Sequence, residues 1–364
     1  MQSYISLIII ILLIVVGTFF IFTRGKQFDL PKGDAVLLPS QLNGNGERVK
    51  EEKDQKVAEE QVIPTSSAAD NESFVLKSSR QIFETDGVKH SIPIDEIRQG
   101  CFGRDCIPSV DKPIFVSVAE ANNILPEDTV GIGLVFKSEE RFYPFNMLVT
   151  REIVNDEIAG EPIVVTYCPL CGTGIVFERK VAGKVFEFGV SGKLWQSNLL
   201  MYNREADEDD ISLWSQVLGE AVVGKHTGTK LPIIQSDIVR YTDWREDHPG
   251  SLVLNTGRIG DPYNGDYYRI ARSFAPNFNE ANSPLSPTAY VFGIEIEGEF
   301  KAYPKELLMV GETSDTFAGR TLTISKEASG IVRIFEEGND QPLPLITGFW
   351  FSWVAVHPDT ELYK

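Results

Sequence analysis

Two stretches of this chain carry the same landmarks in the same order. Gly131-Ile132 leads to Tyr143-Pro144, then to Ala159-Gly160 and Gly174-Ile175-Val176; Gly293-Ile294 leads to Tyr303-Pro304, then to Ala318-Gly319 and Gly330-Ile331-Val332. Near the end of each stretch stands a Trp-x3-His-Pro run, Trp244 to Pro249 and Trp353 to Pro358. A shared order of turn residues between apolar runs predicts two weakly related halves, about 129–249 and 290–358. Each would be a strand, a Tyr-Pro turn into a short helix, a hairpin and a closing helix, and the two would pack into one globular unit.

The apolar runs are short, rich in β-branched and aromatic residues, and punctuated by Gly and Pro, a pattern that favours strands over long helices. Strands are expected at Val130 to Phe136, Pro162 to Tyr167, Gly174 to Lys180, Lys184 to Val190, Leu199 to Asn203, Leu252 to Leu254, Tyr290 to Glu295, Thr321 to Ser325 and Gly330 to Phe335. Ser236 reads as the N-cap of a helix through Ile238, Tyr241 and Trp244 that stops at His248-Pro249. Pro144 and Pro304 each stand where a first helical turn would begin. The expected class is mainly β with a few short helices, α+β.

The ends differ in kind from this middle. Tyr4 to Phe22 is an uncharged run of 19 residues, about 28 Å as a helix, close to the ~30 Å hydrocarbon core of a bilayer. Bulky Phe19-Phe20-Ile21-Phe22 leaves no small-residue cleavage site, so residues 1–23 are expected to be an uncleaved single-pass membrane anchor. Residues 24–75 are polar and low in apolar content, a tether that cannot offset its ordering entropy by burial. The globular domain then occupies 76–364 and is placed outside the cytoplasm, since long downstream domains translocate largely regardless of flanking charge. A net charge of −18 would repel a phosphate backbone, which sets nucleic acid aside as a partner.

Only four cysteines occur, as Cys101-x4-Cys106 and Cys168-x2-Cys171. So few in so long a chain are local devices, not a disulfide framework. Cys101 and Cys106 flank a Gly-containing loop and suit a loop-closing disulfide. Cys168-Pro169-Leu170-Cys171-Gly172 sits between two apolar strands at a hairpin tip, where two sulfurs can converge. Several chemistries stay open there. The pair could be half of a zinc site completed by Cys101, Cys106, His226, His248 or His357; it could hold copper(I), exchange electrons as dithiol and disulfide, or staple the hairpin. The second half builds the corresponding turn without cysteines, so the fold does not require them.

The segment from Phe188 to Gln216 is dense in amides, hydroxyls and tryptophans, and Ser191, Asn198, Tyr202, Arg204, Trp214, Ser215 and Gln216 are expected to line a polar pocket for a small molecule. Two functions from different classes follow: a thiol-redox or metal protein beside that pocket, or a non-enzymatic module that binds a small or saccharide-like ligand and uses its cysteines structurally. No P-loop, dinucleotide fingerprint, nucleophile elbow or His-Glu-x-x-His run is present.

From about Asp105 to Tyr363 the chain resembles domain-of-unknown-function family 3179. The resemblance rests on Asp105-Cys106-Ile107-Pro108, Glu152-Ile153-Val154-Asn155-Asp156, Val165 to Gly172, Ser191-Gly192, Ser197 to Tyr202, Ser212 to Gln216, Asp261-Pro262-Tyr263 and His357 to Thr360. It implies exported or anchored prokaryotic relatives and brings no activity with it. In the family pattern a histidine commonly precedes the Glu-Ile-Val-Asn-Asp run, where this chain has Arg151. If that histidine is a metal ligand elsewhere, its loss here favours redox chemistry or a staple over a closed metal site.

Overall fold

The computed structural model describes residues 73–77, 80–262 and 265–364, without the side chains of 265–268. The expected anchor at 1–23 and nearly all of the expected tether at 24–75 lie outside the described residues, as do Tyr263 and Asn264. Among the described residues no helix is long and apolar enough to cross a membrane. Strands predominate, and the helices are short: Val118–Ala121, Phe145–Leu148, Tyr241–Asp247, Gly265–Arg272 and Trp350–Val356.

The same order of strand pairings occurs twice in the hydrogen-bond register. Val130–Phe136 pairs antiparallel with Glu139–Pro144, and Tyr290–Ile296 pairs in the same way with Glu299–Pro304. A later strand flanks the first of each pair, Asp237–Arg240 in one case and Ile346–Phe349 in the other, and leads straight into a seven-residue helix. A short strand beyond that helix, Leu252–Leu254 or Glu361–Leu362, then runs parallel to the second strand. Both hairpin sets that follow have the same order, Ile153–Ile158, Glu161–Cys168, Thr173–Glu178 and Gly311–Phe317, Arg320–Lys326, Val332–Glu336. Ala159-Gly160 and Ala318-Gly319 make the first turn of each set with positive φ at both residues, the I′ geometry that matches strand twist.

Register also corrects the alignment. Gly131 faces Pro144 while Val291 faces Pro304, so the structural partner of Gly293 is Gly133, not Gly131. The physical reason is the tryptophan. A Cβ on Gly133 would lie 2.4 Å from the Trp244 ring, and one on Gly293 would lie 2.2 Å from the Trp353 ring. Each indole is held by its own N–H, Trp244 Nε1 donating to Ser251 Oγ and Trp353 Nε1 to Thr360 Oγ1, both at 2.9 Å. His248 and His357, the C-cap residues just past the two helices, lie on their tryptophans, with ring centroids 3.9 and 4.3 Å apart. A second shared device is a buried Tyr–Asp bond braced by a cation. Tyr143 Oη donates to Asp156 at 2.7 Å beside Arg141, and Tyr303 Oη donates to Asp315 at 2.8 Å beside Lys301.

Two local expectations are corrected by the backbone. Asp237–Arg240 is a strand, so the helix starts at Tyr241 rather than after Ser236; the pairing of Ile238 with Ile132 outweighs the N-cap preference of the serine. Pro144 does open a helix, Phe145–Leu148, but among the described residues Pro304 opens only a turn.

One large element belongs to a single half. Between Thr173–Glu178 and Asp237–Arg240 the chain builds most of a seven-stranded sheet, ordered Phe83–Thr85, Val88–His90, Glu220–Gly224, Ser212–Ser215, Asn198–Asn203, Phe188–Trp195 and Arg98–Gln99. In the other half, Val332–Glu336 and Ile346–Phe349 are joined by a short loop whose Pro342 bridges Phe335, where Ile233 pairs with Phe177 in the first. The extra sheet packs its apolar face on the cysteine hairpin, and Phe188, Leu200, Met201, Trp214 and Ala221 share a core with Cys168 and Cys171.

Candidate functional site

Cys168 ends one strand of the hairpin and faces Thr173 on the other, which leaves Pro169 to Gly172 as the loop. The Cys171 N–H donates to the Cys168 carbonyl at 3.2 Å and closes the turn. Gly172 takes φ +63°, and a Cβ there would meet the Phe349 ring at 2.7 Å, so this position admits only glycine. Two contacts from the second half pin the tip: Tyr290 Oη donates to the Gly172 carbonyl at 2.6 Å, and the Phe349 N–H donates to the Cys171 carbonyl at 2.8 Å.

The geometry brings the sulfurs together in the dark of the core. Cys168 Sγ and Cys171 Sγ are 3.1 Å apart, unbonded, and at most 1% exposed. Cys171 Sγ donates to the Ser197 carbonyl at 3.1 Å and receives the Asn198 amide at 3.5 Å, while the Leu199 N–H points at Cys168 Sγ. Gln196 and Ser197 form a tight turn with φ +50° and +66°, held by the Ser197 N–H on the Phe274 carbonyl and its hydroxyl on that of Ala271. Burial raises the Cys168 thiol well above its ordinary value; the neighbouring Cys171 and the charge of Glu152 push it further the same way. That thiol keeps its proton at neutral pH.

Glu152 is the residue at this site that sequence reasoning missed. It is 8% exposed, and burial lifts its carboxyl to about 8, so that it is largely protonated at neutral pH. Its backbone, at φ +60°, accepts the Tyr167 N–H at 2.8 Å, next to Cys168 on the hairpin strand. Its sequence signal was its place at the head of the Glu152-Ile153-Val154-Asn155-Asp156 run that helps carry the family resemblance, with no role attached to it.

Among the seven residues expected to line a pocket, the structure brings two to the cysteines. Asn198 and Gln216 share a buried network: Asn198 Nδ2 and Thr173 Oγ1 both donate to Gln216 Oε1, at 2.9 and 2.8 Å, and the Val217 N–H donates to Asn198 Oδ1 at 3.0 Å. This clamps the base of the hairpin to the large sheet. Ser215 is fully buried beside them. Trp214 is a core side chain whose indole N–H donates to Asn203 Oδ1 at 2.9 Å. The other three lie apart. Ser191 sits in the bulge between Val190 and Lys193, bonded to the Leu200 carbonyl, and lines a groove of about 390 Å³ on the large sheet. Tyr202 and Arg204 form an ion cluster in which Tyr202 Oη donates to Asp105 at 2.6 Å and Arg204 reaches Asp105, Asp111 and Glu187.

Cys101 and Cys106 are disulfide-bonded, and their loop docks on the same bulge through Gly100 and Cys101 N–H groups donated to the Gly192 carbonyl. They therefore add no ligand to Cys168 and Cys171. The histidines are also elsewhere. His90 contacts Thr85 and the Ile92 carbonyl, His226 packs on Phe186 and Trp214, and His248 bonds Glu140. His357 is buried against Phe300, and burial together with Arg80 depresses its imidazole to about 3, so it stays neutral. No cluster of three or more His, Cys, Asp or Glu able to hold a metal occurs among the described residues.

Comparison with known proteins adds a family. Searches of curated proteins and of solved structures found no match. The family model described as "Protein of unknown function (DUF3179)" matches residues 104–341, which takes in the whole first half, the four strands of the large sheet from Phe188 to Gly224 and the hairpin set of the second half. It ends before His357 to Thr360, which the resemblance had included. The match spans well over half of the chain, so the chain belongs to the DUF3179 family.

Proposed function

We propose that this chain is a membrane-anchored, extracytoplasmic thiol–disulfide protein, built from two copies of one unit, in which Cys168 and Cys171 are the reacting pair. The observation that carries the reading is the pair of sulfurs 3.1 Å apart, outside any cluster of three or more His, Cys, Asp or Glu able to hold a metal among the described residues. A dithiol at that separation needs only a small loop adjustment to reach the ~2.05 Å of a disulfide. In the second copy the corresponding turn carries Glu327 and Ser329, so the unit folds without sulfur there. The Cys101–Cys106 disulfide supports an oxidising compartment.

Oxidation would join Cys168 Sγ to Cys171 Sγ and release two protons and two electrons. The electrons reduce a small disulfide, whose S–S bond breaks to give two thiols. Glu152 lies near enough for its charge to act on Cys168, and in its ionised form it opposes the thiolate that must form before attack. Burial of both sulfurs restricts the partner to small molecules or to an opened loop.

Alkylation and mass spectrometry, combined with elemental analysis of the purified chain, test this reading. Two alkylatable thiols are expected, mapping to Cys168 and Cys171, lost on treatment with oxidised glutathione and restored by dithiothreitol. Near-stoichiometric zinc or copper that disappears in Cys168→Ser would replace the redox reading with a metal site.

A further inference from the structure

Equivalent positions of the two halves line one cavity of about 560 Å³, and their chemistry is opposite. Register makes Lys305, after Pro304, the counterpart of Phe145, after Pro144. It makes Lys326, which faces Val332, the counterpart of Tyr167, which faces Gly174. All four line the cavity. The first half contributes Phe145 and Tyr167, both 2% exposed and stacked on each other with centroids 4.1 Å apart and planes 16° from parallel; the second contributes two ammonium groups.

Among the described residues, two of the three cations in the lining, Lys305 and Lys326, have no carboxylate partner. Lys326 Nζ donates to the carbonyls of Lys305 and Leu308, at 3.1 and 2.7 Å, and meets no carboxylate. Lys305 makes no side-chain hydrogen bond or ion pair among the described residues, and partial burial, with Lys326 and Arg240 nearby, depresses its ammonium. Arg240, also on the wall, pairs with Asp243 at 2.9 Å. The one acid on the wall is Glu327, which accepts the Ser329 hydroxyl at 3.1 Å. In a chain of net charge −18, this is a local reversal of sign.

We propose that this cavity binds a small organic anion, an aromatic body held against the aromatic lining of half-buried Tyr290 and the edges of Phe145 and Tyr167, and a carboxylate or phosphate taken by Lys305 and Lys326. An anion between the two ammonium groups relieves their mutual repulsion, and an aromatic ring excludes water from the aromatic lining. The site is independent of the redox reading, although Gly172 of the cysteine loop forms part of its lining.

Calorimetric titration of the full chain with phenyl phosphate, 1-naphthyl phosphate, 1-naphthoate, inorganic phosphate and 1-naphthalenemethanol provides the test. At least one aryl anion is expected to bind one per chain below 1 mM, with phosphate alone and the neutral alcohol at least tenfold weaker. The phosphate and carboxylate arms identify the preferred anion. Lys305→Met, which keeps the length of the side chain and removes its charge, should weaken aryl-anion binding about tenfold or more, an effect that falls as salt is raised. Failure of every aryl anion to bind at 10 mM, or binding unchanged in both Lys305→Met and Lys326→Gln, would overturn the proposal. So would an alcohol that binds as tightly as the anions. None of these outcomes bears on the thiol count.

Discussion

Replacing Glu152 by glutamine should stabilise the protein at pH 9 by several kcal/mol and leave it almost unchanged near pH 4.5. The Glu152 carboxyl is raised to about 8 in the folded chain by burial, against 4.5 as its reference. A raised folded value means that the native state holds the proton more tightly than the unfolded state. The group's favourable contribution is then complete below the unfolded value and is lost as pH rises through the folded one. Between those limits each pH unit removes up to about 1.4 kcal/mol, and above the folded value the loss levels off. Glutamine has the same shape and no charge to desolvate, so its stability curve should lack this fall. Urea unfolding of both chains from pH 4.5 to 9 reads the difference directly, and parallel curves would refute the placement of Glu152 in an apolar surround. Removing the charge should also ease Cys168 ionisation, because Glu152 is one of the groups holding that thiol up. Alkylation of Cys168 at pH 9 should accordingly be faster in the variant.

Gly293→Ala is expected to cost about 3 kcal/mol, the upper part of the usual range for overpacking. In an exposed strand, alanine for glycine is neutral or favourable, so the sign here comes entirely from the indole. The added methyl would meet three atoms of the Trp353 ring between 2.2 and 2.6 Å. That ring is 3% exposed and bonded to Thr360, so it has no free rotamer to retreat into. Gly133→Ala should act in the same way through Trp244, whereas Gly250→Ala, with nothing within 4 Å of its added carbon, should change little. Chemical denaturation of the three variants checks the series. Trp353→Leu combined with Gly293→Ala should recover part of the loss, a coupling that a double-mutant cycle isolates.

These two cases also mark what could be read without coordinates. Tyr-Pro, Ala-Gly and Trp-x3-His-Pro are local signals, and each falls on a strand end, a turn or a helix end because it is fixed by its own local geometry. The glycines were misaligned by two residues because their role lies in a cross-strand contact with a tryptophan more than 50 positions away, which no local pattern encodes. Glu139–Pro144 and Gly311–Phe317 went unrecognised as strands for a related reason: their exposed faces are charged or hydroxylated, and pairing outweighs composition. At the cysteines, Cys-x2-Cys and a hairpin tip were legible, as was the presence of Asn198 and Gln216 nearby. Glu152 was not, since only the fold carries the turn after Phe145–Leu148 back beneath the hairpin. The aromatic-to-cationic exchange between Phe145 and Lys305, and between Tyr167 and Lys326, becomes visible only when register aligns the halves.

The central claim, that Cys168 and Cys171 interconvert between dithiol and disulfide within the folded protein, is tested most directly by equilibrating the chain in glutathione buffers and quantifying the alkylated Cys168–Cys171 peptide. The account predicts one reversible two-electron transition, with Cys101–Cys106 unchanged across it. The midpoint should fall by about 59 mV per pH unit near neutrality, because two protons leave with the two electrons. Thiols that stay fully alkylatable at every poise, or a bond between Cys168 and Cys171 that forms only after the chain is unfolded, would contradict it.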